Sequence, residues 1–282
     1  MAKPQSARID GPEAFRRAFP VSRETISRLV TYEALLKRWQ KTINLVAPST
    51  INDIWHRHFA DSAQLWTYAG VGQNPLPHLA EGEPSARRKE GLGAGGRPET
   101  GLSSSPHPMP EACFQHEPLP VKGSGAYMPS AAQPQHWLDL GSGAGFPGLV
   151  IAIMAAEHGG TRHTLVESDN RKAAFLREAA REAGVPVDIL CTRIETSEIH
   201  AKVREVDCVT ARALAPLPRL AQLAAPYCAS GTVGFFLKGR DVAAELEETA
   251  RTWDFRFELK PSVTDPEGRV LLLKALKVKT EG

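Results

Sequence analysis

The sequence predicts a doubly wound α/β fold with a mostly parallel sheet of about seven strands, preceded by an N-terminal helical segment. Three observations support this prediction. Amphipathic helical patterns occupy residues 22–70, a glycine-rich turn follows a short apolar stretch within residues 136–148, and strand and helix patterns alternate from there to residue 278. Such alternation is typical of parallel sheets that carry helices on both faces.

The composition is that of an ordinary globular protein. Of the 282 residues, 42% are hydrophobic and 23% are charged, and the net charge of +2 does not by itself indicate a nucleic-acid-binding protein. The four cysteines include no C-x-x-C pair. No apolar run approaches the roughly 18 residues of a membrane span, and no secretory signal is recognisable. We therefore expect a cytoplasmic protein with reduced thiols, no metal and no membrane association.

The N-terminal part divides into a predicted flexible leader at residues 1–21 and a helical segment at residues 22–70. Ser22 is placed to cap the first helix. The apolar positions of this helix recur at three- and four-residue spacing: Ile26, Leu29, Val30, Leu36, Trp39 and Ile43. The opposite face carries Arg23, Arg28, Lys37, Arg38 and Lys41. This face is either simply solvated or contacts phosphates.

A second helical pattern begins near residue 50 and contains a polar cluster. His56 and His58 lie two positions apart, which is about 200° around a helix axis, so they are poorly placed to share a metal ion. We expect instead a hydrogen-bonded set of Arg57, His58 and Asp61 at a domain junction.

Residues 71–135 differ sharply in composition from the rest of the chain. They contain 11 of the 22 prolines and nine of the 23 glycines, with almost no periodic apolar pattern. A structureless stretch of that length is uncommon inside a compact domain. We therefore predict a disordered insertion or linker that separates the helical segment from a C-terminal domain at residues 136–282.

The stretch HWLDLGSGAGFPG (136–148) is the centre of the predicted fold. A short strand that carries Asp139 leads into Gly141, Gly143 and Gly145, and Pro147 suits the first turn of the helix that follows. Glycines permit a tight turn and a close approach to a ligand. Because the first N–H groups of a helix are unpaired, such a loop is suited to hold a nucleotide-like cofactor.

Two cofactor classes compete for this loop. Gly143, Gly145 and Gly148 fit the dinucleotide pattern G-x-G-x-x-G, which is weak evidence on its own. Taken from Asp139, the string is D-x-G-x-G-x-G, the opening motif of the Rossmann-like class I S-adenosylmethionine methyltransferases. A carboxylate near the loop suits the cationic end of S-adenosylmethionine better than it suits a pyrophosphate. The motif therefore favours S-adenosylmethionine.

The remaining elements follow in regular order. Strands are predicted at residues 163–168, 187–191, 206–213, 232–239, 255–259 and 269–278, and helices at residues 171–184, 215–225 and 242–253. In such sheets the ligand lies beyond the carboxyl ends of the strands. Glu167 falls at the end of the second strand, where a carboxylate can accept hydrogen bonds from both ribose hydroxyls. The alternative is an acid that stabilises a helix N-terminus.

Four further residues are candidates for the site. By fold analogy alone, Ile194 and Glu195 follow the third strand, where such folds contact adenine. Arg212 and Lys238 lie beyond two central strands and are placed to approach an RNA phosphate or the target base. For each of these two, a simple surface cation is the alternative.

With these residues in place, the chain resembles one family, the bacterial 16S ribosomal RNA methyltransferases that modify guanine at N7 (the glucose-inhibited division protein B family). The matching motifs are W-x-x-x-x-N-L-V (39–46), R-H-x-x-D-S (57–62), the glycine loop, Glu167 with Lys172 and Phe175–Leu176, T-R-I-E (192–195), A-R-A-L (211–214) and F-L-K-G (236–239). They cover most of residues 22–70 and 136–278. The predicted insertion is the departure, since it lengthens a normally short connection.

The resemblance implies S-adenosylmethionine contacts at Gly141, Phe146, Ile194, Glu195 and Arg212. It also implies transfer of a methyl group to N7 of a guanine in 16S ribosomal RNA, either naked or within a small-subunit particle. Because N7 has an available lone pair, we expect no general base; Arg212 and Lys238 are expected to position the RNA.

Two alternatives stay open at this point. A nicotinamide-dependent oxidoreductase would explain the dinucleotide pattern and Glu167, but neither Asp139 nor the upstream motifs. A non-catalytic RNA-binding or ribosome-assembly protein would bind RNA without methyl transfer.

Overall fold

A computed structural model of the protein describes residues 8–70, 135–228 and 231–279. The C-terminal part contains one seven-stranded sheet with strand order β3-β2-β1-β4-β5-β7-β6. Its strands are β1 (Gln135–Leu140), β2 (Thr161–Glu167), β3 (Asp188–Cys191), β4 (Cys208–Arg212), β5 (Val233–Lys238), β6 (Trp253–Pro261) and β7 (Arg269–Val278). β1 to β5 pair in parallel, whereas β7 runs antiparallel to both β5 and β6. The predicted mostly parallel sheet is confirmed.

Helices connect the parallel strands and precede the sheet. They are α1 (Pro12–Ala18), α2 (Arg23–Trp39), α3 (Asp61–Tyr68), α4 (Gly148–Ala155), α5 (Asn170–Glu182), α6 (Ser197–Lys202), α7 (Leu217–Ala224) and α8 (Val242–Ala250). A 3₁₀-helix at Pro48–Asp53 and a π-helical turn at Trp55–Ala60 lead into α3. The short α6 has no counterpart in the sequence prediction, because six residues are too few to show a helical period.

The N-terminal helices pack on one face of the sheet. Ser22 caps α2 as predicted, with its hydroxyl accepting from the Thr25 N–H at 3.1 Å. Residues 12–18 form α1, which differs from the flexible leader predicted for residues 1–21. The reason is packing: Phe15 and Phe19 are fully buried, and Phe15 lies 5.6 Å from the ring of Trp55. The segment predicted as an insertion, apart from Gln135 in β1, lies outside the described residues.

The sheet separates two hydrophobic layers. Successive residues of β1 point to opposite faces, so that Trp137 joins the layer beneath the N-terminal helices while Leu138 joins the layer beneath α7 and α8. On the first face, Trp66 of α3 lies 5.8 Å from Trp137 between ring centroids. The helical segment therefore shares a continuous core with the sheet, and its residues are held against the strands that form the site.

His163 in β2 makes the unfolding free energy of the protein depend on pH. It is 4% exposed, and burial lowers its pKa from 6.5 to about 3. As pH falls below 6.5 the unfolded chain binds a proton here while the folded chain does not, so stability is lost. Between pH 7 and pH 5 this histidine should remove about 2 kcal/mol of unfolding free energy. His163→Phe should show a pH dependence weaker by that amount in urea titrations.

The matched control is His200→Phe, at an exposed histidine. The comparison between variants cancels the contributions of other titrating groups. An unchanged pH dependence in the His163→Phe protein would contradict the prediction.

Candidate active site

The glycine loop connects β1 to α4 beneath the N-terminal helices. Gly141, Gly143 and Gly145 all have positive φ angles, of 68°, 56° and 94°. Gly145 does not face solvent: a Cβ here would lie 2.6 Å from the Tyr32 hydroxyl and 2.9 Å from the Leu149 Cβ. Gly145 therefore permits close packing of α2 on the loop, whereas Gly141 and Gly143 line a cleft.

Tyr32 fastens α2 to the loop. Its side chain is fully buried, and its hydroxyl donates to the carbonyl oxygen of Ala144. We expect Tyr32→Phe to lower the unfolding free energy by about 1–3 kcal/mol, because the Ala144 carbonyl would lose its partner in a dry environment. Chemical denaturation measures this loss.

Tyr68→Phe is the matched control for that substitution. The Tyr68 hydroxyl also donates to a backbone carbonyl, that of Pro261 at 2.8 Å, but this hydrogen bond is open to solvent. Water can replace it, so we expect a loss below about 1 kcal/mol. Equal losses of unfolding free energy in the two variants would show that burial does not strengthen the contribution of the Tyr32 hydrogen bond.

Asp139 lies behind the loop rather than in the cleft. It is 2% exposed, and its carboxylate accepts from the Thr210 hydroxyl at 2.7 Å and from the Gly148 N–H at 3.2 Å. Burial raises its pKa to about 6. This position differs from the expected contact with the cationic end of a cofactor. The carboxylate instead ties β1 to β4 and to the start of α4, which fixes the loop.

Glu167 occupies the position predicted for it at the carboxyl end of β2. One carboxylate oxygen accepts from the Gly143 N–H at 2.8 Å, and the other accepts from the Asp169 N–H at 2.8 Å. Each oxygen has a second lone pair, so the carboxylate can still accept from a ligand. Glu167 lines the cleft and is 7% exposed.

The cleft has a volume of about 810 Å³, within the range of small-molecule sites. Phe146, Ile194 and Glu195, for which the resemblance implies cofactor contacts, line it. Ile194 contributes a buried apolar side chain, whereas Glu195 lies at the exposed rim and pairs with Arg219 at 2.7 Å.

Residues 45–47 and the turn between β6 and β7 at Thr264 and Asp265 also line the cleft, although the sequence analysis did not assign them to the site. The N-L-V motif was a signal for the first. The second carries only a turn pattern, which does not reveal where the turn lies in the fold.

Arg212 is the central cation of the site. It lies at the end of β4 and lines the cleft, with its guanidinium 5.5 Å from the centre of the Phe146 ring. It donates to the Arg57 carbonyl oxygen at 3.0 Å and to His58 Nδ1 at 2.5 Å, and it pairs with the Asp61 carboxylate at 3.2 Å. Arg57, His58 and Asp61 therefore meet at Arg212 rather than forming the predicted hydrogen-bonded set, because each contacts Arg212 and Arg57 contributes only its backbone carbonyl.

The electrostatics of this cluster favour one charge state. Burial and the neighbouring Arg212 lower the pKa of His58 to about 3, so the imidazole is neutral and its Nδ1 accepts from Arg212. Burial raises the pKa of Asp61, which Arg212 and a 2.7 Å hydrogen bond from the Thr264 hydroxyl oppose. One cation thus faces one carboxylate and one neutral ring.

Comparison with known proteins identifies the family. A family model described as GidB, rRNA small subunit methyltransferase G, matches residues 25–75 and 124–268. The chain belongs to this family. Ribosomal RNA small subunit methyltransferase G of Parvibaculum lavamentivorans is 38% identical over 264 residues, which cover 94% of this chain and 89% of the relative. The protein of the same name from Methylorubrum populi is 39% identical over 256 residues, 91% of each chain.

Among solved structures, Aeropyrum pernix fibrillarin in complex with S-adenosyl-L-methionine aligns with a TM-score of 0.41 and 13% identity, over 50% of this chain and 66% of that chain. Membership of the rRNA small subunit methyltransferase G family confirms the predicted enzyme class, fold and cofactor, S-adenosylmethionine. It decides against the oxidoreductase and the non-catalytic binding protein.

Within this methyltransferase, Lys238 lies apart from the main cleft. Its ammonium pairs with Glu245 at 2.5 Å in a second, smaller cavity. Over residues 8–70, 135–228 and 231–279, no group of three metal-ligating side chains is found. Within the same residues, no helix is long and apolar enough to cross a membrane.

Proposed function

We propose that this methyltransferase transfers the methyl group of S-adenosylmethionine to N7 of a guanine in the 16S ribosomal RNA of the small subunit. The observation that carries the proposal is the cleft at the carboxyl ends of the parallel strands, with Glu167 and Gly143 facing it. Family membership supplies the reaction class.

The residues present fit the cofactor. A Cβ built on Gly143 meets no atom nearer than 3.9 Å, so this glycine leaves open space beside the Glu167 carboxylate. We assign Glu167 to the two ribose hydroxyls, Ile194 to the adenine face and Phe146 to the opposite end of the cleft. When bound, S-adenosylmethionine supplies an electrophilic methyl group on a sulfonium sulfur.

No general base is required. The N7 lone pair forms the bond to the methyl carbon, the electrons of the carbon–sulfur bond stay with sulfur, and one positive charge moves to the purine. The task of the protein is therefore to orient the base and exclude water, which proximity arguments value at several kcal/mol. Arg212 is held in place by three partners, so its side chain can help to orient the base and exclude water.

Besides Arg212, and Arg219, which pairs with Glu195, three cations line the cleft: Arg57, Lys172 and Arg193. Among the described residues, none of their side chains has an ion-pair partner, in contrast to the paired cations of α2 such as Arg28, Lys37 and Arg38. We assign these three to RNA phosphates, and we assign the α2 face to solvent. Phosphate contacts of this kind are salt-dependent.

The decisive experiment is methyl transfer from labelled S-adenosylmethionine to small-subunit RNA of a strain that lacks this family of enzyme. Naked 16S RNA and the small-subunit particle are tested in parallel, with nucleoside analysis of the product. We expect the label in 7-methylguanosine from one or both of these RNA forms. We also expect the enzyme to act in the cytoplasm. Label in another nucleoside, or in neither form, would overturn the proposal.

A further inference from the structure

The second cavity adjoins the cofactor cleft. It has a volume of about 290 Å³ and lies at the carboxyl ends of β4 and β5, on the opposite side of β1 from Glu167. The two spaces share six lining residues: Asp61, Arg212, Ala213, Leu214, Ala215 and Asp265. Because it is small and opens onto the cleft, it suits one base rather than a second cofactor.

Two charged side chains present complementary groups to this cavity. The Lys238 side chain is 8% exposed; its ammonium forms an ion pair with Glu245 Oε2 at 2.5 Å and donates to the Ala215 carbonyl oxygen at 3.3 Å. Glu245 Oε2 also accepts from the Leu217 N–H at 2.6 Å. An ammonium has three N–H donors. One donor of Lys238 and the oxygen Oε1 of Glu245 thus have no hydrogen-bond partner in the part of the chain that the structure describes.

The Lys238 ammonium and the Glu245 carboxylate are complementary to the Watson–Crick edge of guanine, which carries both donors and an acceptor. If N7 points toward the cleft, the base is held by its N1–H and N2–H₂ donors and by its O6 acceptor. We propose that the second cavity receives the target guanine, with Glu245 Oε1 accepting from both N1–H and N2–H and Lys238 donating to O6. This inference rests on the proposed function, and it names the residues that select the base.

Glu245 has a further effect on the rate. Methylation places a positive charge on the purine, which makes N1–H a stronger donor. A carboxylate at this edge therefore binds the transition state more tightly than the substrate. Loss of the Glu245 carboxylate should therefore lower kcat and leave the KM for S-adenosylmethionine unchanged.

Glu245→Gln tests the proposal with little structural change. The amide oxygen can still accept from Leu217 and Lys238, while an NH₂ group replaces the acceptor Oε1. We expect kcat on unmodified small-subunit RNA to fall about 10- to 100-fold, with cofactor binding unchanged by calorimetry. The control is Glu248→Gln on the same helix, at an exposed position.

A substituted RNA provides the second measurement. Inosine at the modified position lacks the N2 amino group, and we expect it to slow the native enzyme about tenfold and to slow the Glu245→Gln enzyme no further. Native kcat in Glu245→Gln, or the same inosine penalty in both enzymes, would overturn the inference while the proposed function stands.

Should Glu245→Gln fail to fold, an undiminished rate of the native enzyme on inosine RNA would overturn the inference by itself. Should the native enzyme methylate neither RNA nor particle, the proposed function would fall as well.

Discussion

Replacing Glu167 by glutamine is expected to lower the affinity for S-adenosylmethionine about 100- to 1,000-fold, since two hydrogen bonds to a charged group are lost. The carboxylate uses both oxygens on the backbone N–H groups of Gly143 and Asp169 and has two lone pairs left for ribose. An amide has one acceptor oxygen, so it cannot satisfy both N–H groups and a diol. Calorimetric titration measures the affinity, and the KM for RNA should stay near the native value.

Glu198→Gln is the matched control for this prediction. Glu198 is not among the residues that line the cleft, and its exposed side chain pairs with Lys202 on the same helix. Exposed pairs of this kind contribute about 0–1 kcal/mol, so the affinity should change less than about fivefold. Glu167→Asp, which keeps a carboxylate, should recover part of the binding. Native affinity in Glu167→Gln would refute the assignment of Glu167 to the cofactor.

Replacing Arg212 by methionine is expected to lower the unfolding free energy by about 3–5 kcal/mol and to abolish methyl transfer. Methionine fills a similar space but leaves the Asp61 carboxylate without its cation. The loss is large because the Asp61 side chain is only 19% exposed. Arg212→Lys should also be impaired. A single ammonium cannot reproduce the fork that reaches the Arg57 carbonyl, His58 and Asp61 together.

The double variant Arg212→Met/Asp61→Asn separates stability from function. Neutralising Asp61 removes the unpaired charge, so the stability loss should be smaller than the sum of the two single losses. Methyl transfer should stay absent, because Arg212 itself faces the cleft. Strictly additive losses in urea titrations would contradict the buried ion pair, and restored activity would contradict a direct role for Arg212.

The sequence by itself determined the order of the strands and of the longer helices, and the place of the glycine loop. These features depend on residues that are close in sequence, and so they can be predicted from the sequence. They include the glycine spacing, the cap at Ser22 and the alternation of strand and helix. The same holds for Glu167, because the last residue of a parallel strand necessarily lies at the edge of the sheet where ligands bind.

Only the tertiary structure decided which way the charged side chains point and which partners they meet. Asp139 is adjacent to the loop in sequence, yet it faces inward to Thr210. Arg212 meets His58 across 154 residues, and Lys238 pairs with Glu245 in a separate cavity. These contacts follow from strand register and from how the N-terminal helices dock on the sheet. Because such contacts join distant segments, no pattern in either segment alone contains them.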